Sequence, residues 1–360
     1  MSLPRFRQDH TDFYTELRLR VDKYFSERRL SRHANGAMYL KSSVFLASAV
    51  TLYFLILFGN FSLLTSLVLA TLLGACSAFI GFNVCHDALH GSYSGNKYVN
   101  SLLGSIFHLL GASPYNWKIS HNIVHHTYTN IHDHDDDLIV APGLISVCPQ
   151  DKPTWIQRYQ QYYAFALYGM ASLSWIFVKD YVKFFQSRIG HFDTRKHPNI
   201  EYVKLFLFKL IYYVLVIVLP IVLMKLTWWQ FLIGFTAMQV AKGLVLGLVF
   251  QLAHIVEGLD FPEPAVNGNI EDVWAAHQLR TTSNFGVRSN ITTFFCGGLN
   301  MQVEHHLFPH VCHIHYPALS SIVKETAKEY NLPYHENSSF LSALGSHFRM
   351  LRKFGQPVMG

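Results

Sequence analysis

Four long apolar runs limit what this chain can fold into. Ser43 to Phe58 is almost wholly apolar, turns at Gly59-Asn60, and continues as a second run from Phe61 to Phe82. A second pair runs from Leu205 to Met224 and from Trp228 to Leu252, with a three-residue turn at 225–227. A hydrocarbon core of roughly 30 Å needs about 20 apolar residues per helix, so each pair reads as a transmembrane hairpin. The composition agrees: 14% of the 360 residues are charged, against about a quarter in ordinary soluble domains. The first 41 residues form a polar arm rich in arginine, whereas the Gly59-Asn60 turn carries no positive charge. The bias of cytoplasmic segments toward Lys and Arg puts the arm inside and the turn outside. Trp228 and Trp229 sit where an aromatic belt would lie.

Within the arm, Phe13, Leu17, Val21, Tyr24 and Phe25 recur at helical spacing and predict a short amphipathic helix on the membrane surface or on the globular part. Ser101 to Ala112 is too short to span and reads as half-inserted or interfacial. Tyr162 to Val178 is longer, followed by Lys179, Lys183 and Arg188. It is taken as interfacial, because a fifth span would separate histidine clusters that need to converge. The expected layout has four spans (43–58, 61–82, 205–224 and 228–252), a cytoplasmic cap (83–204 and 253–360) and both termini in the cytoplasm. Residues 42–360 make one domain behind the 1–41 arm.

The chain has 21 histidines, and they cluster. His86-Asp87-Ala88-Leu89-His90 follows the second span; His121-Asn122-Ile123-Val124-His125-His126 comes about 30 residues later; Gln302-Val303-Glu304-His305-His306 lies beyond the fourth span, which ends near His254. On an α-helix, i and i+4 share a face, so His86 with His90 and His121 with His125 can share an ion, with His126 one step round. Each cluster alone is weak. Together they deliver eight imidazoles to one rim, more than one metal can use, and two octahedral or five-coordinate ions would suit them. Iron fits a histidine-rich site with open positions for oxygen chemistry. Asp87 is placed to orient an imidazole from behind. Glu-x-x-His pairs and an H-E-x-x-H motif do not occur, which excludes a soluble carboxylate-bridged di-iron bundle and a zinc protease of that type. The alternative from another class is a membrane haem or metal-transport protein: haem would need histidines facing each other within the spans, a transporter polar residues along its path, and clustering at one rim beyond the spans disfavours both. The net charge of +6 fits membrane-side bias rather than nucleic-acid binding. Five cysteines without a C-x-x-C pair fit reduced thiols.

H-D-A-L-H, H-N-I-V-H-H and Q-V-E-H-H resemble, in order and spacing, the three histidine boxes of the membrane-bound fatty acid desaturases. The resemblance covers residues 40 to 320. Glutamine at the head of the third box, H-H-T-Y-T-N running to D-D-D-L, and E-H-H-L-F-P are similar to the front-end subgroup, which inserts a double bond between an existing one and the carboxyl end. The resemblance implies an all-α integral membrane protein whose cytoplasmic helical cap carries a histidine-rich di-iron site. His86, His90, His121, His125, His126, His254, His305 and His306 would be iron ligands, with Gln302 a weaker ligand or a group behind them. Asn284 and Asn300 would orient waters or imidazoles. O2 would be co-substrate, and the acyl substrate an acyl-lipid, acyl-CoA or acyl-carrier protein. Many eukaryotic front-end enzymes carry a fused cytochrome b5 domain with a His-Pro-Gly-Gly motif. That motif is absent, so electrons are expected from a separate ferredoxin or cytochrome b5, and a bacterial inner membrane is expected rather than the endoplasmic reticulum. A related hydroxylase or acetylenase would share the ligand spacing.

Other residues carry expectations of their own. Phe107, Tyr115, Trp117 and Trp274 are candidate walls of an acyl tunnel. Lys242, inside the fourth span, calls for a partner in the bundle; Lys209 is expected to snorkel to the interface. His132 and His134 are expected to be solvated, with Asp133 to Asp137 available to orient ligands or to dock a donor. At least two of His310, His313 and His315 are expected to be non-ligands, and the basic arm is a possible dock for an acidic electron carrier.

Overall fold

The computed structural model describes residues 4–7, 12–138, 140–224, 226–266 and 268–356. Helix α1 (Asp12–Glu27) buries Phe13, Leu17, Val21 and Phe25 on one stripe. They pack with Leu319 and Val323 of a later helix, so the amphipathic segment lies on the polar body. Among the described residues, four helices are long and apolar enough to cross a membrane: α2 (Gly36–Phe58), α3 (Leu63–His90), and, after the intervening polar segment, Asn199–Leu223 and Trp228–His254. Asn35 and Ser62 cap α2 and α3 by accepting from Met38 and Thr65 amides. The first span begins seven residues earlier than the apolar pattern indicates, because Lys41 is turned inward and does not end the helix. The second does not stop at Phe82 but runs on through the first histidine box.

Between the hairpins come α4 (Lys97–Leu109), a helical run at 114–128 here called α5, and a long helix at 160–185, α6. Helix α6 is not among the candidate spans, and it packs tightly along the fourth span. A Cβ on Gly243 would lie 2.3 Å from the Gly169 carbonyl oxygen, so a residue with no side chain is what permits the crossing. The second and fourth spans meet the same way, where a Cβ on Gly74 would lie 2.0 Å from Met238 O. The spans at Asn199–Leu223 and Trp228–His254 are α7 and α8. The remaining polar body contains α9 (Trp274–Thr281), α10 (Asn290–Cys296), α11 (Gln302–Leu307), α12 (Tyr316–Glu329) and α13 (Phe340–Phe354). Three two-stranded ladders staple it: Arg5–Phe6 with Asn269–Ile270, Arg188–Ile189 with Phe192–Asp193, and Ser283–Phe285 parallel to His335–Asn337. All five cysteines are free and buried.

Two buried lysines are part of this frame. Lys242 donates to the Leu110 carbonyl and lies 5.8 Å from the Tyr212 ring, the bundle partner expected of it. Lys209 does not snorkel. Its ammonium turns inward to Asp180 (2.9 Å) and to the carbonyls of Gly111, Trp175 and Ile176. Burial of Asp180 explains the inversion: an unpaired carboxylate in that place would cost several kcal/mol, on the order of 3–5.

Candidate metal centre

Local winding brings the histidines together. Residues Gly81–Cys85 and Lys118–His125 are π-helical, a widened turn that often marks functional sites. In the second box the His126 amide bonds the His121 carbonyl, an i to i+5 closure. The tips of His121 and His126 therefore meet, Nε2 to Nε2 at 3.3 Å. The α-helical expectation, which set His126 one step round from His121, is corrected by this π turn. Span α3 supplies His86 and His90, α8 ends on His254, and α11 supplies Gln302, His305 and His306.

The eight imidazoles converge. Ring nitrogens of His86, His90, His121 and His305 lie within 4.8 Å of one another; so do those of His125, His254 and His306, and those of His126, His305 and His306. All are buried. Among the described residues, Nε2 of His86, His90, His125, His254, His305 and His306, Nδ1 of His126, and Oε1 of Gln302 have no hydrogen-bond partner. Each unsatisfied buried polar atom costs roughly 1–3 kcal/mol, and a packed protein does not gather so many around one space without a ligand. Neutral imidazole nitrogens facing inward are the donor set of borderline metals such as iron. The residues present fit a metal centre.

The outer nitrogens are held from behind, the arrangement that fixes tautomer and ring orientation in metal sites. Asp135 lies 2.9 and 3.1 Å from His125 Nδ1, and Asp137 3.3 Å from His121 Nδ1. Gln278 Oε1 is 2.7 Å from His306 Nδ1, the Tyr316 hydroxyl 3.3 Å from His305 Nδ1, and the Thr281 carbonyl 3.4 Å from His254 Nδ1. Burial and neighbouring imidazoles push His126, His305 and His306 well below the ordinary histidine range, so these rings are neutral. Burial takes His121 down to about 3 despite Asp137. At His125 burial also lowers, but Asp135 outweighs it and holds the ring above its usual value.

Several of these supports carry no sequence signal. Gln278, Thr281 and Tyr316 are single polar residues in unpatterned stretches. Asn130 is buried with φ of 59°, a conformation asparagine tolerates; its amide nitrogen donates to the carbonyls of His254 and Thr281, and its backbone N–H to Asp135. The D-D-D run was legible as a source of carboxylates, though not which two would serve.

Other expected residues fall as follows. Trp117 stacks on His121, centroids 4.4 Å apart, and packs on Phe107, itself beside Trp175. Tyr115 instead bonds His197. Trp274 is not beside Trp117: it packs against Tyr14 of α1 and donates to the His126 carbonyl at 3.0 Å. Asn284 bonds Glu304 (2.7 Å) and the Val303 amide, and Asn300 bonds the Phe285 carbonyl and Thr293; among the described residues neither hydrogen-bonds an imidazole. Asn284 thus anchors the helix that carries the third box. Burial raises Glu304 to about 7 against the bonds from Tyr334 and Asn284. His132 pairs with Asp151, and His134 with the His132 carbonyl. His310 meets the His90 carbonyl, His315 the His33 carbonyl, and His313 the Asp87 carboxylate.

The fatty acid desaturase family model matches residues 62–338. This chain belongs to the fatty acid desaturase family. It is 36% identical to an acyl-lipid (8-3)-desaturase of Physcomitrium patens over 96% of its own length and 72% of the relative's. It is 34% identical to an sn-1 linoleoyl-lipid 6-desaturase of Synechocystis sp., over 96% of both chains. A Delta(5) fatty acid desaturase A of Dictyostelium discoideum is 31% identical over 98% of this chain and 76% of its own. The desaturase is an oxidoreductase of lipid metabolism. Its family implies an iron centre, which the histidine clusters are suited to hold, and its four apolar helices fit a membrane protein.

Proposed function

We propose that this desaturase is a front-end enzyme, inserting a cis double bond between an existing double bond and the carboxyl end of an acyl chain. The observation that carries the reading is the convergence of eight buried imidazoles, seven of which carry a ring nitrogen with no hydrogen-bond partner among the described residues; the names of the relatives supply the direction of insertion. Two irons are assigned. His86, His90, His121 and His305 would hold one and His125, His254 and His306 the other, with His126, grouped with His305 and His306, and Gln302 as the remaining candidate ligands. The polar body is assigned to the cytoplasm with both termini, and the membrane to a bacterial inner membrane.

When bound, the iron pair supplies O2 activation with two external electrons and removal of hydrogen from an unactivated chain, chemistry beyond the reach of side-chain acids and bases. The protein's own residues do the rest. Asp135, Asp137, Gln278, Tyr316 and the Thr281 carbonyl hold the outer nitrogens, so that each ring presents a fixed lone pair inward. Burial of the whole set keeps water out. The acyl chain is assigned to the Trp117 side of the ligands, where Phe107, packed on Trp117, joins Ser77, Gly81, Trp175, Lys242 and Leu246 around a small apolar cavity. A flat indole against His121 sets the depth at which a methylene pair passes the ligands. A separate ferredoxin or cytochrome b5 delivers the electrons; turnover by purified protein with NADH alone would contradict this.

The test is expression in a host without polyunsaturated lipids, feeding of defined unsaturated fatty acids, and location of new double bonds by mass spectrometry. The expected product has its new cis bond on the carboxyl side of the existing one. A bond on the methyl side, or a hydroxylated or acetylenic product, would overturn the reading.

A further inference from the structure

Behind His86 runs a chain of buried polar groups that the metal ligands do not use. Lys41 is the sixth residue of the first span and is 7% exposed. A lysine there is costly unless something takes its charge. Its ammonium lies 3.1 Å from His313 Nε2. An ammonium can only donate, so His313 Nε2 must accept, and the ring's single proton is on Nδ1. That Nδ1–H points at Asp87 Oδ2, 2.9 Å away, and the His313 amide donates to the same oxygen at 3.1 Å. Asp87 is 1% exposed and His313 2%. With Oδ2 taken by two donors, Oδ1 is left facing His86 Nδ1 at 3.8 Å. Among the described residues, both ring nitrogens of His86 lack a hydrogen-bond partner.

We propose that His313, its tautomer set by Lys41, is a positioning residue for His86: it holds Asp87 so that Oδ1 keeps the His86 proton on Nδ1 and leaves Nε2 free for metal. The elements joined are distant in sequence: the arm end of the first span, the first box at the end of the second, and the loop after the third box. The link fixes the first box against the third. The cluster of Asp87, Cys312 and His313 is close enough to suggest a further metal site, but the adjacent Lys41 ammonium opposes a cation there and both donors to Oδ2 are already protein groups. His313 follows the third box by seven positions and looks by sequence like one more member of a histidine run; its contacts set it apart from the ligands.

This inference rests on His86 being a ligand, and the test separates the two. Full-length wild type, His86→Ala, His313→Ala, His313→Asn and Lys41→Met are purified, loaded with Co(II), and compared by visible ligand-field spectrum and by rate of metal release to a chelator. Groups behind a metal ligand typically control affinity by roughly 10–100-fold, so His313→Ala is expected to release one of its ions about 10–100 times faster with an altered spectrum, while His313→Asn, whose amide can replace Nδ1–H, stays within about threefold of wild type. Lys41→Met is expected to shift release in the same direction as His313→Ala, and carries the test if His313→Ala does not fold. A His313→Ala protein with wild-type spectrum and release, beside a His86→Ala protein that has lost an ion, overturns the positioning role alone. An Asn variant as impaired as the Ala variant also overturns it. Retention of both ions by His86→Ala would overturn the ligand assignment beneath it.

Discussion

The two halves of the histidine cluster are built differently. In the half with His125, His254 and His306, two outer nitrogens are gripped closely, by Asp135 at 2.9 Å and by Gln278 at 2.7 Å. Asp135 is itself fixed by the Asn130 and Asp137 amides. In the half with His86, His90, His121 and His305, the corresponding distances are 3.3 Å to Asp137, 3.3 Å to Tyr316 and 3.8 Å to Asp87. The closest supports thus lie in the first half, at His125 and His306, while its third ring, His254, is 3.4 Å from the Thr281 carbonyl. The difference follows from the chain. His125 and its partner Asp135 are ten residues apart on one compact turn, and Gln278 lies on a helix packed against the third box. The looser half depends on groups brought from the first span and from beyond the third box.

The largest effect should come from the ligands in either half. His125→Ala and His305→Ala are both expected to abolish desaturation, with product below detection by gas chromatography and the protein still in the membrane fraction; activity from either would break the assignment. Next comes the comparison itself. Asp135→Asn should weaken metal retention by roughly 10–100-fold and Asp137→Asn by less, because the tighter contact contributes more to holding the ring. Equal effects on chelator release would erase the proposed asymmetry. Gln278→Leu removes the closest acceptor of His306 Nδ1, leaving the Thr129 hydroxyl at 3.3 Å, and should weaken retention about tenfold, with Gln278→Glu retaining it. At Gln302, a histidine should be partly tolerated if the position faces the metal, and a variant indistinguishable from Gln302→Ala would place it outside.

The smallest effect concerns a ring that is not one of the eight. His347 is buried between Tyr168 (2.9 Å) and the Ile255 carbonyl (2.8 Å), and burial lowers it to about 4. Folded, it stays neutral where the unfolded ring, titrating near 6.5, takes up a proton. It therefore supports the fold above about pH 6.5, and that support is lost as pH falls toward 4, by up to about 3 kcal/mol. His347→Gln should flatten this part of the melting-temperature profile; an unchanged acid slope would show that other groups govern it.

Much of this architecture is legible in the sequence, and the exceptions are instructive. Four apolar runs and three histidine boxes stand out because length and spacing carry them: spans must cross a bilayer, and ligands must share a face. The π turn at Lys118–His125 is not legible, since nothing in H-N-I-V-H-H favours i+5 over i+4 closure until its partners are in place. Gln278 and Asn130 are invisible for another reason: each acts through contacts with elements distant in sequence, without periodicity to betray it. Lys209 and Trp274 mislead by their surroundings. A lysine near a span end snorkels by default, and only Asp180, arriving from α6, turns this one inward. An indole near the histidines looks like a tunnel wall, yet Trp274 serves the His126 carbonyl from the α1 side.

The most direct test of the two-part centre is metal stoichiometry. Iron per chain is measured in purified wild type, His90→Ala and His254→Ala, with the visible spectrum checked for haem. The account predicts two irons in the wild type without haem absorbance, and loss of a different ion in each variant, leaving about one. One metal per wild-type chain, a haem spectrum, or both irons retained in either variant would contradict it.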